Sequence, residues 1–305
     1  MLGVVSSLTT NNPCWFPKYS NDKTHSQRVR PSSPNKQMEF FQIILLSIIQ
    51  GLTEFLPISS SGHLILAPII FNFDDQGLAL DAILHLGTLL AIIIFFRKEL
   101  IDLTKALFDR QGSPKTHHLA WCIIFASFPA GLIGLFGGEW IEVNLRSPTF
   151  VGYNLFFWSL IFLIADRYGS KISSTNTDLN RLSLRQVLFI GGAQAIALLP
   201  GTSRSGITIT AGLFSNLSHT SATRFSFLLG TPIIFAAGMH KLMQFVSHPA
   251  SEQTYSNLHL LIGMGISFLV GLLAIQLLLK IVAKVGLLPF IIYRLILAGG
   301  ILLYY

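Results

Sequence analysis

The stretch Gln50-Gly51-Leu52-Thr53-Glu54-Phe55-Leu56-Pro57-Ile58-Ser59-Ser60-Ser61-Gly62-His63 interrupts what would otherwise be one apolar run from residue 41 to residue 73. Gln50 and Glu54 are four apart and so share one helix face. Pro57 removes a backbone donor and disfavours helix in the residue before it, and a polar cluster follows directly, so the helix stops and the chain turns. The pieces on either side, 41–56 and 64–73, are too short for a full membrane span, which takes about 20 apolar residues. Short apolar helices around a polar break read as a re-entrant hairpin, which survives at membrane depth only where protein or a wet cavity surrounds it.

A second break of the same kind lies further along. Leu199-Pro200-Gly201-Thr202-Ser203-Arg204-Ser205-Gly206-Ile207-Thr208 separates the short apolar segments 187–199 and 206–217. Leu56-Pro57 recurs as Leu199-Pro200, Ser60 as Ser203, and Leu86-Gly87-Thr88 as Leu229-Gly230-Thr231, all at an offset of 143 residues. Matches at one offset indicate an internal repeat. The remaining apolar segments, roughly 80–96, 119–138, 149–165, 225–240, 258–279 and 285–303, read as spans. The expected fold is an all-α polytopic membrane protein of two inverted repeats, each a re-entrant helical hairpin plus three transmembrane helices. Repeat one covers about 41–165 and repeat two about 187–303, within a single membrane domain over 38–305.

Composition agrees with a bilayer. Of the 305 residues 51% are hydrophobic and only 11% charged, and the mean hydropathy is +0.60. A soluble domain carries about 25% charged residues, so this chain cannot cover a water-facing surface. The net charge of +7 does not point to nucleic acid, because the Lys and Arg residues sit in connecting segments with no basic face interleaved with aromatics. Cys14 and Cys122 lie in a polar leader and an apolar segment, which gives neither a disulfide framework nor a metal cluster.

Charge in the connections predicts orientation instead. Segment 97–118, read as a loop, carries Arg97, Lys98, Lys105, Arg110 and Lys115, and segment 166–186 carries Arg167, Lys171, Arg181 and Arg185. Both are expected in the cytoplasm. Segment 139–148 holds Glu139 and Glu142 with one Arg146, which suits the outside. Threading from there places the first hairpin on the outer side and the second on the cytoplasmic side, so that the two breaks meet near the midplane. Residues 1–37 form a polar leader, read as disordered or as the product of a misassigned start at which Met38 is the true first residue.

Glu54 is the first candidate for chemistry, because a carboxylate inside a membrane segment costs about 2.5–3.5 kcal/mol and is functional by default. In the second break a small-residue turn opens onto a helix, presenting free N–H groups suited to an anion. Arg204 adds a planar fork that fits phosphate oxygens. Gly201, Ser203 and Thr208 join it as candidates for holding phosphate oxygens, while Thr202 and Ser205 read as hydroxyls bonded to their own backbone. Asp81 and His85, four apart on one span, read as structural residues at its outer end. Glu54 with Gln50 offers oxygen ligands for Mg²⁺ or Ca²⁺. A carboxylate, hydroxyls, a histidine and an arginine at one depth supply what hydrolysis of a phosphoanhydride needs: charge neutralisation, a nucleophile and an acid/base group.

These two stretches closely resemble the signature motifs of the bacterial undecaprenyl-diphosphate phosphatases, also called bacitracin-resistance proteins. Leu86-Gly87-Thr88 and Pro289-Phe290-Ile291-Ile292-Tyr293-Arg294 are similar to that family as well, and the resemblance covers about residues 38–305. It implies an enzyme of the bacterial inner membrane that releases phosphate from undecaprenyl diphosphate, regenerating the lipid carrier for peptidoglycan. It also implies a divalent-cation requirement and a site open to the outer side. By resemblance Glu54, Ser60, His63, Ser203 and Arg204 take the family's functional positions. Gln50 stands at the first motif position, where many members carry Glu. The nucleophile is left open: Ser60 with His63 as base, His63 itself, or water activated by His63.

Two other readings compete. Ser61-Gly62-His63 also occurs in type 2 phosphatidic acid phosphatases, but that family needs a histidine six residues after the arginine of Ser-Arg, and Thr210 stands there. Inverted repeats with broken helices are common in transporters, where Glu54 and Arg204 would bind a translocated head group. The expected partners are a polyprenyl diphosphate and membrane lipids, with no nucleic acid; a homo-oligomer is compatible with this reading.

Overall fold

The computed structural model describes residues 36–109, 113–171, 179–247 and 255–305; the leader up to residue 35 lies outside the described residues. Eleven α-helices and one 3-10 turn (Leu179–Arg181) make up the described part, which contains no strand. The helices are α1 (Lys36–Thr53), α2 (Ser60–Phe71), α3 (Gly77–Phe95), α4 (Arg97–Phe108), α5 (Pro114–Asn144), α6 (Pro148–Gly169), α7 (Leu184–Ile196), α8 (Arg204–Phe214), α9 (His219–Ser247), α10 (Asn257–Val285) and α11 (Leu288–Tyr304). The two expected hairpins, α1–α2 and α7–α8, are present; α3, α4, α5 and α6 follow the first, and α9, α10 and α11 follow the second.

Both hairpins turn by the same local chemistry. After α1 the chain passes Pro57, and Ser59 adopts φ 76° while its hydroxyl accepts the N–H of Gly62 and caps α2. After α7 it passes Pro200 and Gly201 (φ 91°), and Ser203 adopts φ 76° while capping α8 through the N–H of Gly206. A serine side chain in the cap satisfies one of the four donors a helix start leaves open. The short helices end alike, near Asn72 (φ 53°) and Asn216 (φ 62°). This pairs Ser59 with Ser203 and Ser60 with Arg204. In the turn the repeat therefore runs one residue out of register with the offset expected from Leu56-Pro57, because the second turn holds one residue more between its proline and its cap.

Four helices, α5, α6, α9 and α10, are long and apolar enough to cross a membrane, which makes the protein multi-pass. A fifth candidate is α3 taken with α4, bent by 82° between them. Here the structure corrects the sequence reading, which treated 97–118 as a loop. Arg97–Phe108 is a helix: it buries Leu103 and Ala106 while Lys98, Asp102 and Lys105 stay exposed, and that amphipathic division supports a helix packed on α5. Helix α11 is shorter than its apolar segment, at 17 residues. Gly286 takes φ 69° and the N–H of Leu287 is drawn to the Asp166 carboxylate at 2.7 Å, so the helix begins only at Leu288.

Apolar helices in lipid gain no hydrophobic drive from pairing, so close packing and hydrogen bonds across helices hold them. The Leu86-Gly87-Thr88 motif serves this purpose. A side chain at Gly87 would collide with Ser267 of α10; without one, the Ser267 hydroxyl reaches the Leu84 carbonyl at 3.0 Å. Helix α8 is enclosed almost entirely, with every residue from Ser205 to Leu213 buried, as a re-entrant helix requires.

Candidate active site

The two turns meet. Glu54, the first residue beyond α1, points one carboxylate oxygen at Arg204, whose Nη2 donates to Oε1 at 3.1 Å across 150 residues of chain. Its other oxygen, Oε2, accepts the Ser60 hydroxyl at 2.8 Å and the Gln50 amide at 3.1 Å. A second bond joins the turns where the Ser205 hydroxyl donates to the Leu56 carbonyl at 3.1 Å. The ion pair is well buried, with side-chain exposures of 12% for Arg204 and 9% for Glu54. Removing two charges from water costs several kcal/mol each, so a buried pair is a poor device for stability alone. It lies at the junction of the two broken helices, where an ionisable pair is a candidate functional site.

Arg204 has its place because of a glycine. Its Nη1 reaches the Ser226 carbonyl at 3.5 Å, and its guanidinium lies against Gly230, where any side chain would overlap it. The second Leu-Gly-Thr motif thus clears space for the cation, as the first clears space for α10.

Each expected site residue can now be located. Glu54, Gln50, Ser60 and Arg204 form one hydrogen-bonded cluster. Ser203 lies beside it but spends its hydroxyl on the helix cap, within 3.3 Å of the Ser205 hydroxyl. Gly201 contributes its left-handed backbone and a carbonyl. Thr208 is buried one turn into α8 and bonds the Arg204 carbonyl at 2.8 Å and the Ser226 hydroxyl at 2.6 Å. The backbone role expected of Thr202 and Ser205 therefore falls to Thr208, while Thr202 accepts from Asn154 and Ser205 bridges the hairpins. His63 makes no hydrogen bond to Ser60. Its Nδ1 lies 2.7 Å from the Ser59 carbonyl and its Nε2 lies 2.7 Å from the Tyr293 hydroxyl. The group within reach of the Ser60 proton is Glu54. Asp81 ties α3 to α9 through Lys241 at 3.1 Å and accepts from Gln76 at 2.9 Å. His85, bonded through Nδ1 to the Asp81 carbonyl, sits within electrostatic reach of Glu54.

Three residues beyond the expected set shape the site. The Asn154 amide donates to the Pro200 carbonyl at 2.7 Å and to the Thr202 hydroxyl at 2.8 Å, holding the second turn. Arg294, fully buried in α11, donates to the Gly201 carbonyl at 3.1 Å, the Leu155 carbonyl at 3.3 Å and the Ser159 hydroxyl at 2.9 Å, and lies 4.7 Å over the Phe162 ring. Tyr293 meets His63. An Arg in the last apolar segment was a readable signal, since an ionisable residue at that depth is functional by default; Asn154 and Tyr293 carried none as strong.

Among the described residues no group of three His, Cys, Asp or Glu side chains could cage a metal. The Gln50 Oε1 atom, however, is buried with no partner. One carboxylate and one unmatched amide oxygen fit a hard cation that completes its shell with substrate oxygens, the usual habit of Mg²⁺.

Comparison with known proteins agrees with this picture. The family described as Bacitracin resistance protein BacA matches residues 43–300. Undecaprenyl-diphosphatase 2 of Stutzerimonas stutzeri is 44% identical over 273 residues, covering 87% of this chain and 98% of its own. Undecaprenyl-diphosphatase 1 of Pseudoalteromonas translucida is 42% identical over 272 residues, covering 88% of this chain and 99% of its own. The undecaprenyl-diphosphatase of Nitrosococcus oceani is 42% identical over 274 residues, again covering 88% and 99%. With its two broken hairpins, and a match along nearly the whole of these relatives, the chain belongs to the bacitracin resistance protein BacA family.

Proposed function

We propose that the protein hydrolyses undecaprenyl diphosphate to undecaprenyl phosphate and inorganic phosphate, recycling the lipid carrier for cell-wall peptidoglycan and so conferring bacitracin resistance. The observation that carries this reading is the Glu54 carboxylate, shared between the Ser60 hydroxyl at 2.8 Å and the Arg204 guanidinium at 3.1 Å. A nucleophile, a base and an anion-binding cation converge there inside an apolar protein, beside the name borne by its relatives.

The chemistry follows from those contacts. Arg204 neutralises the terminal phosphoryl group and orients it with its planar fork. Ser60 Oγ attacks the terminal phosphorus as Glu54 takes its proton, and the bond to the bridging oxygen breaks to release undecaprenyl phosphate. Water then cleaves the phosphoserine, restoring the Ser60 proton and releasing phosphate. His63, three residues on from Ser60 and bonded to the Ser59 carbonyl and the Tyr293 hydroxyl, is assigned to fixing the first turn beside the nucleophile. A Mg²⁺ or Ca²⁺ ion carried on the diphosphate would be held by Glu54 and the Gln50 Oε1 oxygen, and would supply further charge neutralisation. Gly201 and Ser203 act by shaping the turn that aims Arg204.

The membrane is assigned as the bacterial inner membrane with the site open to its outer side. Basic residues around α4 and in 166–186, against Glu139 and Glu142 at the end of α5, support that orientation.

The test is phosphate release from undecaprenyl diphosphate by purified protein in detergent, with and without EDTA. Release that EDTA stops and Mg²⁺ or Ca²⁺ restores is the expected result. Folded protein that retains the lipid and yields no phosphate would instead support translocation of a head group.

A further inference from the structure

Both nitrogens of His63 are committed. Nδ1 can only donate to the Ser59 carbonyl, 2.7 Å away, so in the neutral imidazole the lone pair is on Nε2. That lone pair is met by the Tyr293 hydroxyl at 2.7 Å, from a helix 230 residues further along the chain. The two rings lie 9° from parallel with centroids 5.7 Å apart. The tyrosine O–H therefore holds the side of the imidazole that the Ser59 carbonyl does not, and between them they set both the tautomer and the ring orientation.

Tyr293 is 43% exposed, and its place on α11 is fixed through its neighbour. The next residue, Arg294, is fully buried and bonds α6 through Ser159 and Leu155 and the second turn through the Gly201 carbonyl. Adjacent residues of α11 thus reach the two hairpins: Tyr293 the histidine of the first, Arg294 the turn that carries Arg204. A Phe at 293 would fill the same apolar space, so the hydroxyl is there for its hydrogen bond.

The geometry points to Tyr293 as a positioning residue of the phosphatase site, acting through His63. This rests on the phosphatase reading above. Partners that orient a metal-ligating histidine typically matter about 10–100-fold in affinity or activity, which sets the scale expected here; losing an interaction made only in the transition state lowers kcat and kcat/KM together.

The experiment uses Tyr293→Phe in the full-length protein, which keeps the ring and removes only the O–H. Steady-state phosphate release is measured beside the rate at which diethyl pyrocarbonate modifies His63, followed by peptide mass spectrometry with His117 as internal reference. The expected result is a kcat lowered about tenfold, a KM within about twofold, and faster modification of His63 because its Nε2 is no longer covered. Tyr293→Leu should lower kcat further by removing the ring. Wild-type kcat with an unchanged modification rate for Tyr293→Phe would overturn the assignment, as would a raised KM at unchanged kcat, which would make Tyr293 a substrate contact. If wild-type protein released no phosphate, the enzymatic reading would fail, while the modification rate would still decide whether Tyr293 covers His63.

Discussion

Ser60 and Arg204 hold the same place in two different hairpins: each is the first residue of its short helix, and each follows a serine at φ 76°. Both donate to Glu54, one to each carboxylate oxygen. A repeated turn has thus delivered a hydroxyl from one copy and a guanidinium from the other to a single acid. Arg204→Ala strips Glu54 of its counter-ion in a buried setting. Breaking such a pair costs about 3–5 kcal/mol, and losing a group that stabilises developing charge costs about 10²–10³ in rate. We expect phosphate release to be lost and thermal unfolding in detergent to shift downward. Arg204→Ala with wild-type turnover would dismiss the phosphate clamp.

Ser60→Ala and Ser203→Ala should separate chemistry from capping. Ser60→Ala removes the hydroxyl on Glu54 and is expected to abolish turnover with little change in stability. Ser203→Ala removes a helix cap worth about 1 kcal/mol and should leave measurable activity. Rates and unfolding temperatures measured side by side check this; the reverse order in activity would move the nucleophile to the second hairpin.

Gly230→Ala should mimic loss of Arg204 without touching it, since the added methyl overlaps the guanidinium. Gly131→Ala, where nothing lies within 4 Å, is the control and should turn over as wild type. Equal activity in the two variants would show that Arg204 has another productive position.

Gln50→Glu should tighten the divalent cation, because a second carboxylate replaces a neutral oxygen beside Glu54. The Mg²⁺ concentration that restores half-maximal release after EDTA treatment is expected to fall. No change in that concentration would remove residue 50 from the cation's ligands.

Much of this was legible in the linear sequence. Pro57 and Pro200, each followed by small polar residues within apolar segments too short to span, dictate two hairpins, because proline ends a helix and lipid forbids an open backbone. Glu54 and Arg204 stood out because charge at that depth is expensive. The helix Arg97–Phe108 was missed because five charged residues interleave with its apolar positions and read as a loop, and packing on α5 reveals which face is buried.

What only the tertiary structure decided is pairing. One of the three readings left open by the motif paired Ser60 with His63 as its base, yet in the folded chain the Ser60 hydroxyl donates to Glu54 and the His63 Nε2 meets the Tyr293 hydroxyl. Thr208, with the chemistry of a ligand, is turned back onto its own helix and Ser226. Side-chain type and local turn chemistry are written in neighbouring residues. Partners drawn from 150 and 230 positions away depend on how helices pack, through glycines such as Gly230 whose purpose appears only when the side chain it makes room for is in place.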